Sequence, residues 1–233
     1  MLNTIQVAIL EDHPLIIKGY ESALATAPHI TIIGTTQYGE NLLPLLAQHP
    51  VDLLLLDIQV PTSQENHSIF PVLSLLPKIV EMYPSLQVLV ASMHNDRALI
   101  QAIMDNGASG YILKDDLKAM RDLGKIITSI VCDGEIYLSE EAQLQLDKYQ
   151  GRKNSKVLLT PGQLKALSLC GAYPNKSIAQ LAKLLNVASS TLRNLLHASY
   201  IRLGVRSRGA AVEKARQRSL LSSNVAPPTT DDR

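Results

Sequence analysis

The stretch Val51-Asp52-Leu53-Leu54-Leu55-Leu56-Asp57 decides the fold. It is an almost unbroken apolar run closed by a carboxylate. It shows no alternation of apolar and polar residues, which is how a strand buried on both faces reads. Four runs of the same kind flank it, TIQVAIL (4–10) and ITIIGTT (30–36) before it, LQVLVAS (86–92) and SGYIL (109–113) after it. Helical periodicities lie between and after these runs, at about 14–27, 39–48, 68–83, 95–106 and 117–132. Five strand–helix units in succession predict an α/β fold, a doubly wound five-stranded parallel sheet with helices on both faces.

The chain of 233 residues has room for two ordinary domains, and with 46% apolar residues it can build a core in each. With no Trp and a single Phe, those cores rest on Leu, Ile, Val and Ala. No apolar run approaches the roughly 18 residues of a membrane span. The opening MLNTIQVAILEDHP has no basic segment ahead of its apolar one, so a cytoplasmic protein without membrane contact is expected. Cys132 and Cys170 lack the CxxC spacing of a disulfide or zinc motif and are expected to be small apolar fillers. The net charge of +1 hides a division. Residues 1–141 carry 7 basic and 17 acidic side chains, net −10, and residues 142–233 carry 15 and 4, net +11. A basic half joined to an acidic half points to nucleic-acid binding at the C-terminus.

In a doubly wound sheet, chemistry gathers at the carboxyl ends of the strands. There the sequence places Glu11 and Asp12, then Asp57, Ser92 and Lys114. If the first and third strands are neighbours, three carboxylates converge, and without a counter-ion at least one would have its pKa raised. A divalent cation relieves that conflict, and an all-oxygen site that retains waters suits Mg²⁺. A carboxylate beside bound Mg²⁺ can attack a phosphoryl group to give an acyl phosphate. Lys114 would balance the transferred charge and Ser92 would donate a hydrogen bond to a phosphoryl oxygen.

Glu11-Asp12-His13-Pro14, Leu56-Asp57, Ala91-Ser92-Met93-His94 and Gly110-Tyr111-Ile112-Leu113-Lys114-Asp115 occur in order at strand ends. Together they resemble the signature blocks of response-regulator receivers of the NarL/FixJ type, over residues 5–131. The resemblance implies a flavodoxin-like receiver at 1–133 in which Asp57 accepts phosphate from a sensor histidine kinase. It further implies that Glu11, Asp12 and Asp57 hold Mg²⁺ with the backbone carbonyl of Gln59. Ser92 and Tyr111 match the switch pair, whose hydroxyl moves toward the phosphate while the aromatic ring follows inward. The surface between the fourth helix and the fifth strand is then expected to shift. The loop after the acceptor departs from the family pattern. Ile58-Gln59-Val60-Pro61 runs into TSQENHSIF (62–70) without a Gly, and Asp57 to Ser92 spans 35 positions, several more than usual. A haloacid-dehalogenase-like phosphatase would also use a strand-end Asp with Mg²⁺. It needs a second carboxylate two residues on, where this chain has Gln59, so an enzyme is not expected.

Beyond Leu138, SEEAQLQLDKYQ suits a short helix and GRKNSK (151–156) reads as a linker, so 134–156 is expected to be linker. Thr160-Pro161-Gly162-Gln163 is a capping-box pattern opening a helix to about Gly171. Residues 177–185 form a short amphipathic helix, Asn186-Val187-Ala188 breaks it, and Ser189 or Ser190 caps the next. In that next helix Leu192, Leu195, Leu196, Tyr200 and Leu203 make one apolar stripe, with Ser190, Arg193, Asn194 and His197 opposite. Helix, short turn, then helix with an outward polar face is the helix-turn-helix pattern, whose second helix enters the major groove.

Leu159-Thr160-Pro161, Ile178-Ala179 with Thr191-Leu192-Arg193, and Leu203-Gly204-Val205-Arg206-Ser207-Arg208 resemble the LuxR-type output domain. The resemblance implies an all-α DNA-binding domain at 157–221. Ser190, Arg193, Asn194 and His197 would face double-stranded DNA, Arg206 and Arg208 would touch phosphate, and a homodimer would form on activation. The Pro/Thr/Asp-rich residues 222–233 are expected to be disordered. The implied function is a transcriptional regulator controlled by phosphorylation. A regulator acting independently of phosphorylation, through a protein or small-molecule partner, is the alternative. An interaction module that no longer binds DNA is a third possibility.

Overall fold

Strand β3 (Leu53–Asp57) is buried along its whole length. It pairs on one side with β1 (Ile5–Leu10) and on the other with β4 (Gln87–Ser92), both parallel to it. β2 (Ile30–Thr36) lies beyond β1 and β5 (Gly110–Leu113) beyond β4, which gives the order β2-β1-β3-β4-β5. The order reverses between β1 and β3. With Leu10 level with Leu56, Glu11 and Asp57 emerge side by side at the point where such sheets bind ligands. Burying each of Leu53–Leu56 contributes about 1.5–3 kcal/mol, so Asp57 is carried on one of the best-anchored segments of the chain.

A computed structural model describes residues 4–147 and 159–221, and the chain divides into two compact units, Met1–Asn154 and Ser155–Arg233. Flanking the sheet of the first unit are α1 (Pro14–Leu24), α2 (Leu42–Gln48), α3 (Val72–Met82), α4 (Arg97–Asp105), α5 (Leu117–Arg121) and α6 (Leu123–Thr128). A 3₁₀ turn at Gly39–Asn41 leads into α2, and a π turn at Ser129–Asp133 extends α6 until Gly134, at φ 64°, ends it. Pro14 at the first helical position starts α1 with its φ already set. Asp96 caps α4 through Leu99 N, and Asp116 caps α5 through Lys118 N and Ala119 N.

The sheet has a sixth strand that the sequence did not predict, β6 (Tyr137–Leu138), parallel to β5. It is followed by α7 (Glu140–Asp147), which packs on α4 and β5. Residues 134–147 are therefore part of the first unit rather than linker, while 148–156 fall outside the described residues. Two residues are too few to show a period. β6 exists because β5 offers it an edge. Tyr137 N donates to Ser109 O (3.2 Å), Ser139 N to Tyr111 O (3.0 Å), and Leu113 N to Ser139 Oγ (3.3 Å). Asn95 Nδ2 donates to Glu141 Oε1 (2.9 Å) and ties α7 to the loop after β4. The surface between α4 and β5, expected to shift on activation, is covered by the chain's own segment.

The atypical loop after Asp57 is a small ordered hairpin. Pro61 and Ile69 form an antiparallel bridge. Thr62 N donates to Ser68 O (2.9 Å), Ser63 N to Asn66 O (3.0 Å) and Phe70 N to Val60 O (2.9 Å). These bonds take up residues 68–71, so α3 starts at Val72 rather than at 68. The hairpin is pinned to the 3₁₀ turn by Gly39 N to Pro61 O (3.0 Å) and Glu40 N to Thr62 O (2.9 Å). Phe70 lies on Gly39 so closely that a Cβ there would sit 2.0 Å from the ring. Gly39→Ala is expected to lower stability by about 1–3 kcal/mol through overpacking, read by urea unfolding. An unchanged midpoint would mean that this contact carries no constraint.

The second unit is helical. α8 (Pro161–Ala172) opens on the expected capping box, with Gln163 N donating to Thr160 Oγ1 (3.3 Å) and Thr160 N to Gln163 Oε1 (2.9 Å). α9 (Ile178–Leu185) opens on a second one, Ser177 with Gln180, and stops at Asn186, which takes the left-handed conformation at φ 55°. α10 (Ser189–Leu203) begins one residue earlier than predicted. Its N-cap is Ala188, without a side-chain cap, in place of Ser189 or Ser190. Gly204, at φ 65°, ends it, and Ser207 caps α11 (Arg208–Gln217) through Ala210 N. α10 packs against α8, α9 and α11, burying Leu192, Leu196, Tyr200 and Leu203. The tail expected to be disordered, 222–233, lies outside the described residues. Among those described, no helix is long and apolar enough to cross a membrane.

Candidate functional site

At the strand ends, Lys114 Nζ sits 2.7 Å from Glu11 Oε2 and 2.7 Å from Asp57 Oδ2, with all three side chains more than nine-tenths enclosed. Gln59 N donates to Asp57 Oδ1 (2.9 Å), so both oxygens of the carboxylate are held in place. His13 N donates to Glu11 Oε1 (3.2 Å). Burial pushes the Glu11 carboxyl above its ordinary pKa and the neighbouring Asp57 adds to this, while Lys114 opposes it. Ligand atoms of Glu11, Asp12 and His13 lie within 4.8 Å of one another. His13 was not singled out by the sequence. It is mostly exposed, with Nδ1 2.7 Å from Asp12 Oδ1. Asp57 faces Glu11 across the Lys114 ammonium. Three carboxylates against one ammonium leave an excess of negative charge on hard oxygen donors, and that chemistry fits a small divalent cation such as Mg²⁺.

Ser92 and Tyr111 meet at the main chain of His94. Ser92 Oγ accepts from His94 N (3.1 Å), and the Tyr111 hydroxyl donates to His94 O. Ser92 and Tyr111 are both fully buried, and burial raises the phenol's pKa. The ring therefore already occupies an inward position. Beside the pocket, the hairpin and the start of α3 enclose an open cavity of about 430 Å³. Gln59 and His94 line it together with Ile58, Ile69, Phe70 and Leu73.

The helical unit departs further from expectation. Arg193 is 3% exposed and His197 7%, so neither presents the outward polar face predicted for it. α10 is packed by three other helices, which leaves less of its circumference open than a stripe-and-opposite-face pattern assumes. Burial draws the Arg193 guanidinium down to about 10, and the His197 ring is tilted against Tyr200 at 6.1 Å. Asn194 is half-buried, Ser190 lies in the first turn of α10, and Arg206 is exposed.

Arg208, expected to touch phosphate, instead closes the turn between α8 and α9. Its Nη1 donates to Lys176 O (2.8 Å) and its Nη2 to Pro174 O. The sequence missed a second brace, Arg202 Nη1 to Gln163 Oε1 (3.2 Å). Arg208→Ala is expected to lower the stability of the chain by about 1–3 kcal/mol, since charged donors to carbonyls are worth that much. A thermal melt checks this, and an unchanged midpoint would return Arg208 to the candidate phosphate contacts.

A parallel sheet ordered 2-1-3-4-5, with an acidic, lysine-bridged pocket at its carboxyl edge and followed in the chain by a helical unit, defines the class of receiver-containing regulators. Residues 7–123, half of the chain, match the family model of the response regulator receiver domain, and the chain belongs to that family. Among its relatives is the transcriptional regulatory protein RcsB of Escherichia coli (strain K12), 24% identical over 204 residues, 88% of this chain and 90% of that protein. The transcriptional regulatory protein DegU of Brevibacillus brevis is 30% identical over 126 residues, 54% of this chain and only half of that protein's length. A solved structure of the Salmonella typhimurium RcsB response regulator superposes with a TM-score of 0.55 at 23% identity, covering 93% of this chain and 100% of that one. Another, of two RcsB dimers bound to two parallel DNAs, gives 0.54 at 24% identity, covering 92% and 98%. Both support the fold, a receiver followed by a helical C-terminal domain.

Proposed function

We propose that this chain is a cytoplasmic, DNA-binding transcriptional response regulator governed by Mg²⁺-dependent phosphorylation of Asp57 by a sensor histidine kinase. The observation that carries the reading is the enclosed Lys114 bridge between Glu11 and Asp57, with Ser92 at the end of the adjacent strand. Asp57 attacks the phosphorus of a phosphohistidine and the P–N bond breaks. The electron pair leaves on the imidazole, which takes a proton from solvent. Bound Mg²⁺ would be held by Glu11, Asp12, Asp57 and the Gln59 carbonyl, and supplies charge neutralisation for the incoming group. Gln59 N keeps one carboxylate oxygen oriented, and Lys114 is placed to turn from Asp57 toward the phosphoryl oxygens. Ser92 then offers its hydroxyl to the same group, while Tyr111 already lies inward on their shared partner His94.

For the output, support comes from three sources. Residues 142–233 are net basic, α9 and α10 follow each other as a helix-turn-helix pair, and the relatives are transcriptional regulators. Binding as a homodimer follows the paired half-sites that such modules use.

Beryllofluoride with Mg²⁺ tests the reading, with oligomeric state and affinity for bulk DNA measured at several salt concentrations. Activation should raise both, and affinity should fall steeply with salt. The hairpin at 61–69 and the cavity it shares with Gln59 and His94 favour one second reading, control by a partner or small molecule without phosphorylation. Beryllofluoride that changes neither quantity selects that reading.

A further inference from the structure

Tyr20, on α1, is 1% exposed and packs in the core with Ile9, Leu24 and Leu55. A tyrosine there brings a hydroxyl into an apolar layer, and that hydroxyl makes no regular hydrogen bond among the described residues. An enclosed polar group without a partner is costly, so one that persists calls for a role. Ile9 and Leu55 lie two residues before Glu11 and Asp57 on neighbouring strands, so Tyr20 packs in the layer beneath those carboxylates, and burial with their two charges raises the phenol's pKa. Glu11 Oε2 is likewise enclosed without a regular hydrogen bond, held by its ion contact with Lys114 alone. A buried donor without a partner and a carboxylate oxygen met by Lys114 alone thus lie in adjoining layers under the acidic pocket. Lys114 is the cation at Glu11 Oε2 in this structure, and it is the group that phosphorylation would draw away.

We propose that Tyr20 is a positioning residue of the acidic pocket, its hydroxyl donating to the Glu11 carboxylate and fixing that carboxylate for cation binding. The assignment rests on the receiver reading above. Donors that orient a metal-binding carboxylate typically govern affinity by about 10–100-fold. Tyr20→Phe removes only the hydroxyl and keeps the ring's packing.

Calorimetric titration of the full chain with Mg²⁺ alone should show Tyr20→Phe weakening binding about 10-fold, while the melting temperature of the metal-free protein stays level or rises. In a Glu11→Gln background the same change should alter Mg²⁺ affinity less than about twofold, because the effect runs through Glu11. Unchanged affinity in the single variant overturns the proposal. So does an equal loss in the Glu11→Gln background, or a large fall in melting temperature, which would make Tyr20 a packing residue. Wild-type protein that binds Mg²⁺ but takes up no phosphoryl group removes the phosphorylation reading and leaves the Tyr20 assignment standing. Wild-type protein without Mg²⁺ affinity overturns both.

Discussion

Asparagine in place of Asp57 is expected to abolish uptake of a phosphoryl group from acetyl phosphate, a loss of at least about 100-fold, because an amide is not a competent nucleophile. Intact mass before and after exposure to the donor reads this directly. The fold should survive the change. The asparagine carbonyl can still accept from Gln59 N, and Lys114 keeps Glu11 as a counter-ion. Stability should therefore move by no more than about 1 kcal/mol, as for most substitutions that leave no buried charge alone. Labelling at the wild-type level in this variant would falsify the assignment and turn attention to Asp12, the more exposed carboxylate of the pocket.

Lys114→Met should have the largest effect on stability. It leaves the enclosed carboxylates of Glu11 and Asp57 facing each other without a cation. Removing one partner of a buried ion pair costs about 3–5 kcal/mol, which in a domain of this size lowers the melting temperature by on the order of 10 °C. The pH dependence has a definite sign. Glu11 already binds its proton more tightly in the folded chain than in the unfolded one. Its contribution therefore falls as pH rises above the ordinary carboxylate range and through its raised folded value, and is recovered on acidification. Without Lys114 that trend steepens, so the variant's deficit should be greatest at neutral pH and shrink in mild acid. Millimolar Mg²⁺ should restore part of it by replacing the lost cation. A melting temperature equal to that of wild type at pH 7 without metal would show that the bridge is energetically idle.

Much of the receiver was legible because β3 and its neighbours are apolar without alternation and end in polar residues, a pattern that fixes both strand and site. Glu11, Asp57 and Lys114 meet where that pattern placed them, and Ser92 and Tyr111 share His94. What escaped depends on partners distant in sequence. β6 has two residues and no period of its own, so its existence follows from the free edge of β5. His13 and Tyr20 are single residues whose place in the pocket depends on how α1 leaves β1. In the helical unit the helices were readable from Thr160, Asn186 and Gly204, whereas the exposure of Arg193 and His197 was not. A helical wheel sorts faces by polarity and cannot count how many helices will surround them. Arg208 reads as a surface cation until the turn at Pro174 to Lys176 folds beneath it.

The position of α7 bears on how copies of this chain can associate. It lies on α4 and β5, joined to β6 through Ser139 alone and held by Asn95 and by the Tyr111 carbonyl. A segment on so short a tether is present at its own docking site at an effective concentration in the millimolar range or above. A partner that approached this face from solution at micromolar concentration would have to displace that occupant first. Whatever loosens α7 would therefore act as a threshold on any association through the face of α4 and β5 that it covers.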